Sequence, residues 1–438
     1  MKKLIILDIV GLSKKQFEKL KPKNISKILE HGSYGSFDPS FPAVTCSVQA
    51  SIFSGTYPSE HGIISNGYYD ELFKKISFWE QPANLVKKPR IWDLLKKNNP
   101  DFSTALLFLQ NSLYANSNVV LTPKPLHLDN KMIMWCYSKP ENFYEKITES
   151  IGNFDLKSYW GPFSSLKSSN WIINSAKIAI QNHLPDLLVT YLPHLDYTSQ
   201  KFGPNSDEFK KSVDELDTLI GDFLLFLNQE FPNTYEIMVL SEYNFNEVNN
   251  SISPNLLLRQ HGLLSTRRIE EKDYIDYEFS KAFAMVDHQI AHLYIKPGYL
   301  DQVKSIFNNE SVGSILDNDL QKKFKVNHPD SGDLILCSNT NSWFNYYWWD
   351  DVKYAPDFTF NVDIHRKPGY DPLELFIDFK SKTISHDTSL IKGSHGLISE
   401  DPMNSPLIGT SFESNIHEKI SVVEIKNEIQ NFFKENKN

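Results

Sequence analysis

Residues 38–69 read DPSFPAVTCSVQASIFSGTYPSEHGIISNGYY, and the change of character at Thr45 decides the fold. Pro39 and Pro42 fix their own φ and push the residues before them toward extended geometry. Beyond Thr45 the apolar residues Val48, Ile52 and Phe53 recur at helical spacing, and Gly55 then Pro58 end the run. Thr45 therefore belongs at a strand-to-helix junction, at or beside a helix N-cap. The first turn of a helix presents unpaired N–H groups and the positive end of a dipole. A hydroxyl there can attack a phosphorus atom whose oxygens those N–H groups receive. Threonine is also a common helix cap with no chemical role, so the surrounding residues have to decide between the two.

The rest of the chain sets the frame. At 438 residues it exceeds what one core usually spans, which implies a main domain with a sizeable insert. The expected division is a core of 1–280 and 386–438, with an inserted cap over 281–385. A net charge of −9 argues against a nucleic-acid backbone as partner. No apolar run is long enough to span a bilayer. The opening MKKLIILDIVGL is short, is interrupted by Asp8 and lacks a small-residue cleavage site, so it reads as a buried first strand and the protein as cytoplasmic. Cys46, Cys136 and Cys337 are widely separated and imply neither a disulfide framework nor a cysteine zinc site.

Strands are expected over 4–10, 103–108, 119–128, 132–137, 187–191, 235–240 and 334–337. Helices are expected over 14–20, 91–97, 171–183, 206–226 and 422–433. Helix followed by buried strand is the order of an α/β fold with a doubly wound, mostly parallel sheet. Asp8 closes the first strand, where such sheets bind ligands, although an aspartate there can equally cap the helix that follows. Residues 343–351, WFNYYWWDD, read as packing in preference to a stacking surface for a ring.

Phe41, Pro42, Thr45, Gly55, Pro58, His61, Gly62, Ile63 and Asn66 together resemble the nucleophile segment of the type I phosphodiesterase/nucleotide pyrophosphatase family, in the alkaline phosphatase superfamily. Its pattern is FPxxT, a helix, then TGxxPxxHGIxxN, and Ser54 stands here where the family often has Thr. The resemblance implies an alkaline-phosphatase-like fold and a divalent-metal centre, two zinc ions or manganese. It makes Thr45 the metal-bound nucleophile and Asn66 the phosphoryl-binding amide. Asp8, Thr45 and Glu242 would group round one ion, with Asp196 and His395 of the closing GSHG loop round the other; the other reading of Asp196 is a loop acid capping the helix over 206–226. The implied substrate is a small phosphorylated, nucleotide-like molecule cleaved at a phosphodiester or pyrophosphate bond through a phospho-threonine.

Three positions depart from the family, the first being Glu242, which stands where it has an aspartate and can still coordinate through its longer arm. Gln200 and Tyr243 stand where it has metal-binding histidines, and glutamine is a poor zinc ligand beside imidazole. Tyr243 and Gln200 are therefore read as substrate-binding. Asp287 and His288, with His292 four residues on, are candidate replacement ligands if 288 and 292 share one face of a strand; a hairpin with a pair of internally satisfied histidines is an equal reading. His365 is a second candidate replacement, and with Arg366 a candidate for holding a phosphate. Two other functions remain: a phosphonate or phosphomonoester hydrolase of the same superfamily, and a binding protein with a degraded metal site. The sequence leaves the oligomeric state open.

Overall fold

The computed structural model describes residues 2–129, 131–310 and 312–436. Its main feature is a nine-stranded sheet. From one edge the strands are Lys419–Ser421, Tyr34–Asp38, Leu407–Thr410, Tyr235–Leu240, Lys3–Ile9, Leu187–Leu192, Thr104–Leu107, Val119–Pro123 and Cys136–Lys139. The run from Tyr235–Leu240 to Val119–Pro123 is parallel. Leu407–Thr410 and Cys136–Lys139 join it antiparallel.

The first strand shows why its residues choose this place. Leu4, Ile5, Ile6 and Leu7 are all fully buried, as a parallel strand covered on both faces requires. Alternate side chains enter different cores. Ile5, Leu7 and Ile9 join Ile172, Phe209 and Phe223, from the helices Leu166–His183 and Asp207–Glu230. Leu4 and Ile6 join Val48, Ile52, Phe53 and Phe433, from the helices Thr45–Ser54 and Ile425–Glu435. Asp8 lies in register with Tyr191 and Leu240, near the carboxyl ends of three adjacent parallel strands.

A second, antiparallel sheet of four strands runs Ala282–Asp287, Ile290–Ile295, Leu334–Ser338 and Gly313–Leu316. Its core also takes in Phe41, Ile64, Phe78 and Leu258, so the packing unit reaches well outside residues 281–385. The aromatic run 343–351 is interior: Trp343, Phe344, Tyr346, Trp348 and Trp349 are buried in this core. Asp287 and Ile290 pair across a hairpin whose turn is His288 and Gln289, and His288 takes φ +59°. Of the two readings of this segment the hairpin with internally bonded histidines is the one that forms, and His288 and His292 do not share a strand face. His292 points elsewhere, its Nδ1 donating to the Ser331 carbonyl at 2.7 Å.

Three competing assignments are settled by the caps. Ser13 caps the helix Lys14–Leu20, with Gln16 completing a capping box, so Asp8 is free of that duty. Ser206 caps Asp207–Glu230 by accepting from the Phe209 N–H at 3.1 Å, so Asp196 is not its cap. Val44 is the N-cap of Thr45–Ser54, which puts Thr45 at the first helical position with its hydroxyl uncommitted to capping. The three cysteines are free and buried. Among the described residues no helix is long and apolar enough to cross a membrane.

Candidate active site

Helix Thr45–Ser54 is buried along all ten residues. A helix with no solvent face must find internal partners for each polar side chain it carries, and those partners build the site. Thr45 Oγ1 lies 3.0 Å from the Tyr243 hydroxyl. That hydroxyl donates to Asp196 Oδ1 at 3.1 Å, so the Thr45 hydroxyl is left to donate to the tyrosine oxygen. Gln200 Nε2 donates to Asp196 Oδ2 at 2.5 Å, and the Tyr370 hydroxyl donates to Gln200 Oε1 at 2.7 Å. Asn66 Oδ1 accepts from the Cys46 N–H at 3.0 Å, satisfying one amide of the helix's first turn.

Gln49, one turn along the helix from Thr45, reaches the carboxylates of the large sheet. Its Nε2 donates to Glu242 Oε1 at 2.5 Å and lies 3.4 Å from Asp8 Oδ2. Its Oε1 accepts from the Gln110 N–H at 2.7 Å, which fixes the orientation of the amide. Asp8 Oδ1 and Glu242 Oε2 are buried and accept from no N–H or hydroxyl among the described residues, each carboxyl having the other as its neighbour. Burial pushes Asp8 up to about 7, a hydrogen bond with Glu242 opposing it. Burial, then the charge of Asp8, pushes Glu242 well above the usual carboxylate range. Asp196 rises to about 6 through burial, against the opposing effects of His288, Tyr243 and Gln200.

Four rings form a continuous stack on the other side of Thr45. Tyr243 lies flat on His395, with centroids 3.7 Å apart and planes within 6°. His395 meets His288 at 3.8 Å, and His288 meets Tyr370 at 3.6 Å. His395 Nδ1 donates to the Ala43 carbonyl at 2.8 Å. That leaves Nε2 unprotonated, 3.9 Å from Asp196 Oδ1. Burial, then His288, holds the His395 pKa well below its ordinary value.

Above this floor is a cavity of about 460 Å³. Thr45, Asp196, Tyr243, His288, Tyr370 and His395 line its polar part. Trp79, Tyr159, Trp160, Tyr197 and Phe360 supply an aromatic wall, with the exposed Met132 and Phe163. Trp160 is held by its Nε1, which donates to Glu374 Oε2 at 2.5 Å.

Of the residues singled out from the sequence, Thr45, Asp196, Tyr243, His288, His365 and His395 reach the cavity wall. Asp8, Glu242, Asn66 and Gln200 stand behind it, bonded to residues that do or to their neighbours. Asp287 is not turned toward a metal position. It accepts from Ser65 Oγ, from the backbone and side chain of Asn66 and from His288 Nδ1, and so anchors Asn66. Arg366 is away from the cavity wall, paired with Asp363 and Asp357. Gln49 and the aromatic wall had not been singled out. Glutamine in the middle of an apolar helical pattern was the available signal for the first. The wall is assembled from segments far apart in the chain and left no local signal.

Tested against this geometry, a pair of zinc ions does not fit. Among the described residues no group of three or more His, Cys, Asp or Glu is placed to hold a metal. Both Asp196 oxygens already accept hydrogen bonds. The Asp8–Glu242 pair differs. Its two oxygens without a donor, tied through Gln49 to the helix that carries Thr45, are an oxygen-only donor set of the kind hard divalent cations prefer.

The fold is alkaline-phosphatase-like. Mouse ectonucleotide pyrophosphatase/phosphodiesterase 5 superposes with a TM-score of 0.62 at 12% identity, covering 99% of this chain and 95% of that one. Phosphonoacetate hydrolase from Sinorhizobium meliloti superposes with 0.61 at 13% identity, covering 97% and 94%. A family model described as type I phosphodiesterase / nucleotide pyrophosphatase matches residues 4–371, and the chain belongs to that family. Among curated relatives, a pyrophosphatase/phosphodiesterase of Schizosaccharomyces pombe is 28% identical over 187 residues, 42% of this chain and 32% of that protein. Ectonucleotide pyrophosphatase/phosphodiesterase 2 of Saccharomyces cerevisiae is 21% identical over 332 residues, 73% of this chain and 58% of that protein. The matched stretches thus span a third to somewhat over half of these relatives.

Proposed function

We propose that the chain hydrolyses a phosphodiester or pyrophosphate bond in a small nucleotide-like substrate, with Thr45 as nucleophile. The observation that carries this is the Thr45 hydroxyl. It opens into the cavity at the first position of a buried helix and hydrogen-bonds Tyr243, which in turn hydrogen-bonds Asp196. In the attack, Thr45 Oγ1 bonds to phosphorus as its proton passes to the Tyr243 oxygen. The Tyr243 proton passes in the same step to Asp196 Oδ1. The ester or anhydride bond opposite the attacking oxygen breaks, and water later hydrolyses the phospho-threonine. Asn66, tied to the Cys46 N–H and to Asp287, holds the helix start in register with the phosphoryl group. A divalent cation held by Asp8, Glu242 and Thr45 would draw charge from the threonine and phosphate oxygens.

The cavity volume is within the range of small-molecule sites, and its aromatic wall suits the ring of a nucleoside. A mouse relative of the same fold has been crystallised, as an inactive variant, in complex with AMP. Room for a second ester group favours a diester over a phosphomonoester or phosphonate. A second reading, a protein that binds such a ligand without turning it over, is favoured by Gln200 and Tyr243 at the positions of the family's histidines.

The test is hydrolysis of a chromogenic phosphodiester and its monoester by wild type and Thr45→Ala, with mass spectrometry for phosphate on Thr45. Diester turnover that the variant loses, with phosphate trapped on Thr45 in the wild type, is the expected result. Preference for the monoester would shift the substrate class. Saturable nucleotide binding with no turnover in zinc, manganese or magnesium would select the binding protein.

A further inference from the structure

The two halves of the site floor differ in what they leave free. Asp8 Oδ1 and Glu242 Oε2 accept from no N–H or hydroxyl among the described residues and have only each other's carboxyl to share a proton with, whereas both oxygens of Asp196 are taken. What takes them is hydrogen. Tyr370 donates to Gln200 Oε1, so the Gln200 amide must turn its NH2 to Asp196. The phenol of Tyr243 does the same on the other oxygen, held in place by its flat contact with His395. Imidazole at positions 200 and 243 would offer lone pairs to a cation, while an amide NH2 and a phenol O–H offer hydrogens.

We propose that the Tyr243 hydroxyl, clamped between Thr45 and Asp196 and backed by Gln200, stands in the place of a second metal ion. The chain then binds at most one divalent cation, at Asp8, Thr45 and Glu242. Tyr243 neutralises Asp196 by hydrogen bonding, as an ion would by charge, and keeps a donor next to the reacting oxygen. His395 survives as a ring against which Tyr243 is packed, and its Nε2 ligates nothing. The proposal deepens the hydrolase reading and rests on it for the role of Thr45. Its test is an ion count that needs no turnover, so the two readings can fail separately.

The experiment is metal stoichiometry of the full chain after equilibration with zinc or with manganese, by native mass spectrometry and calorimetry. The wild type is expected to hold no more than one ion per chain, and two ions would overturn the proposal. The double variant Gln200→His with Tyr243→His is expected to take up one ion more than the wild type. Its zinc affinity should rise by about tenfold or more, equivalent to about 1.4 kcal/mol. A folded double variant with the wild-type count would overturn the proposal as well. Should that variant not fold, the wild-type count alone decides.

Discussion

Asp287 on the small sheet and Asp8 on the large sheet are both completely buried carboxylates behind the same cavity, yet their surroundings are opposite. Asp287 receives four donors: Ser65 Oγ at 2.5 Å, His288 Nδ1 at 2.6 Å, the Asn66 N–H at 2.9 Å and Asn66 Nδ2 at 3.2 Å. Asp8 receives one, from Gln49 at 3.4 Å, and faces a second carboxyl. Burial would raise both. At Asp287 it is outweighed by His288, Ser65 and Asn66, and the group ends below the usual carboxylate range. At Asp8 it prevails. Equal burial therefore does not mean equal charge. Asp287 is a built anion that fixes the position of Asn66, while Asp8 and Glu242 await a proton or a cation.

The largest expected effect follows directly. Asp287→Ala leaves Ser65, Asn66 and His288 without their acceptor and should cost about 3 kcal/mol or more of stability. Asp8→Asn, measured the same way by denaturant unfolding at neutral pH, should cost less than about 1 kcal/mol, because no settled ionic network is lost. A larger loss at Asp8 than at Asp287 would break the comparison.

Tyr243→Phe keeps the ring on His395 and removes only the hydroxyl. Turnover should fall by about 10²-fold, with a loss of stability of about 1–3 kcal/mol because Asp196 Oδ1 loses its donor. An unchanged rate would remove Tyr243 from the proton path.

The two carboxylates should also respond to pH with opposite signs, best seen with a chelator present. Asp8 is raised from 3.8 to about 7, so between these values the folded chain holds more protons than the unfolded one. Its contribution is full below 3.8 and is lost as pH rises through about 7. Asp287 is lowered, so its contribution is present above the ordinary 3.8 and is lost as pH falls below it. Asp8→Asn should reduce the loss between pH 4 and 7, the raised Glu242 and Asp196 supplying the remainder, and leave the acid limb unchanged. Flattening of the acid limb instead would reverse the assignment.

The smallest effect sharpens the border of the site. Arg366→Ala should change stability by less than about 1 kcal/mol, since its two ion pairs are exposed. It should leave turnover of a diester unaltered, and a large rise in KM would bring Arg366 back to the substrate.

The large sheet was legible because its strands are continuous apolar runs and its helices carry clear periodicity, as in Leu187–Leu192 and Asp207–Glu230. Thr45, Asp8 and Asp196 stood out because each sits where an element ends and a motif begins. His288 was left between a strand face and a hairpin because a two-residue turn and a strand look alike when apolar residues flank both. Arg366 looked like a phosphate contact because the acids that pair with it, Asp357 and Asp363, could equally have been solvated loop residues. Gln49 escaped notice because the need for its amide arises only when Asp8, Glu242 and the Gln110 backbone converge on one turn of helix.

The burial of helix Thr45–Ser54 on every side has a consequence for time as well as space. Its amide hydrogens have no fraying surface through which solvent can enter. They should exchange with deuterium only when the whole large-sheet domain opens, at the slow limit of the chain. The segment that carries Thr45 is then the last to label. A hydroxyl held this way stays at its post for the lifetime of the native state.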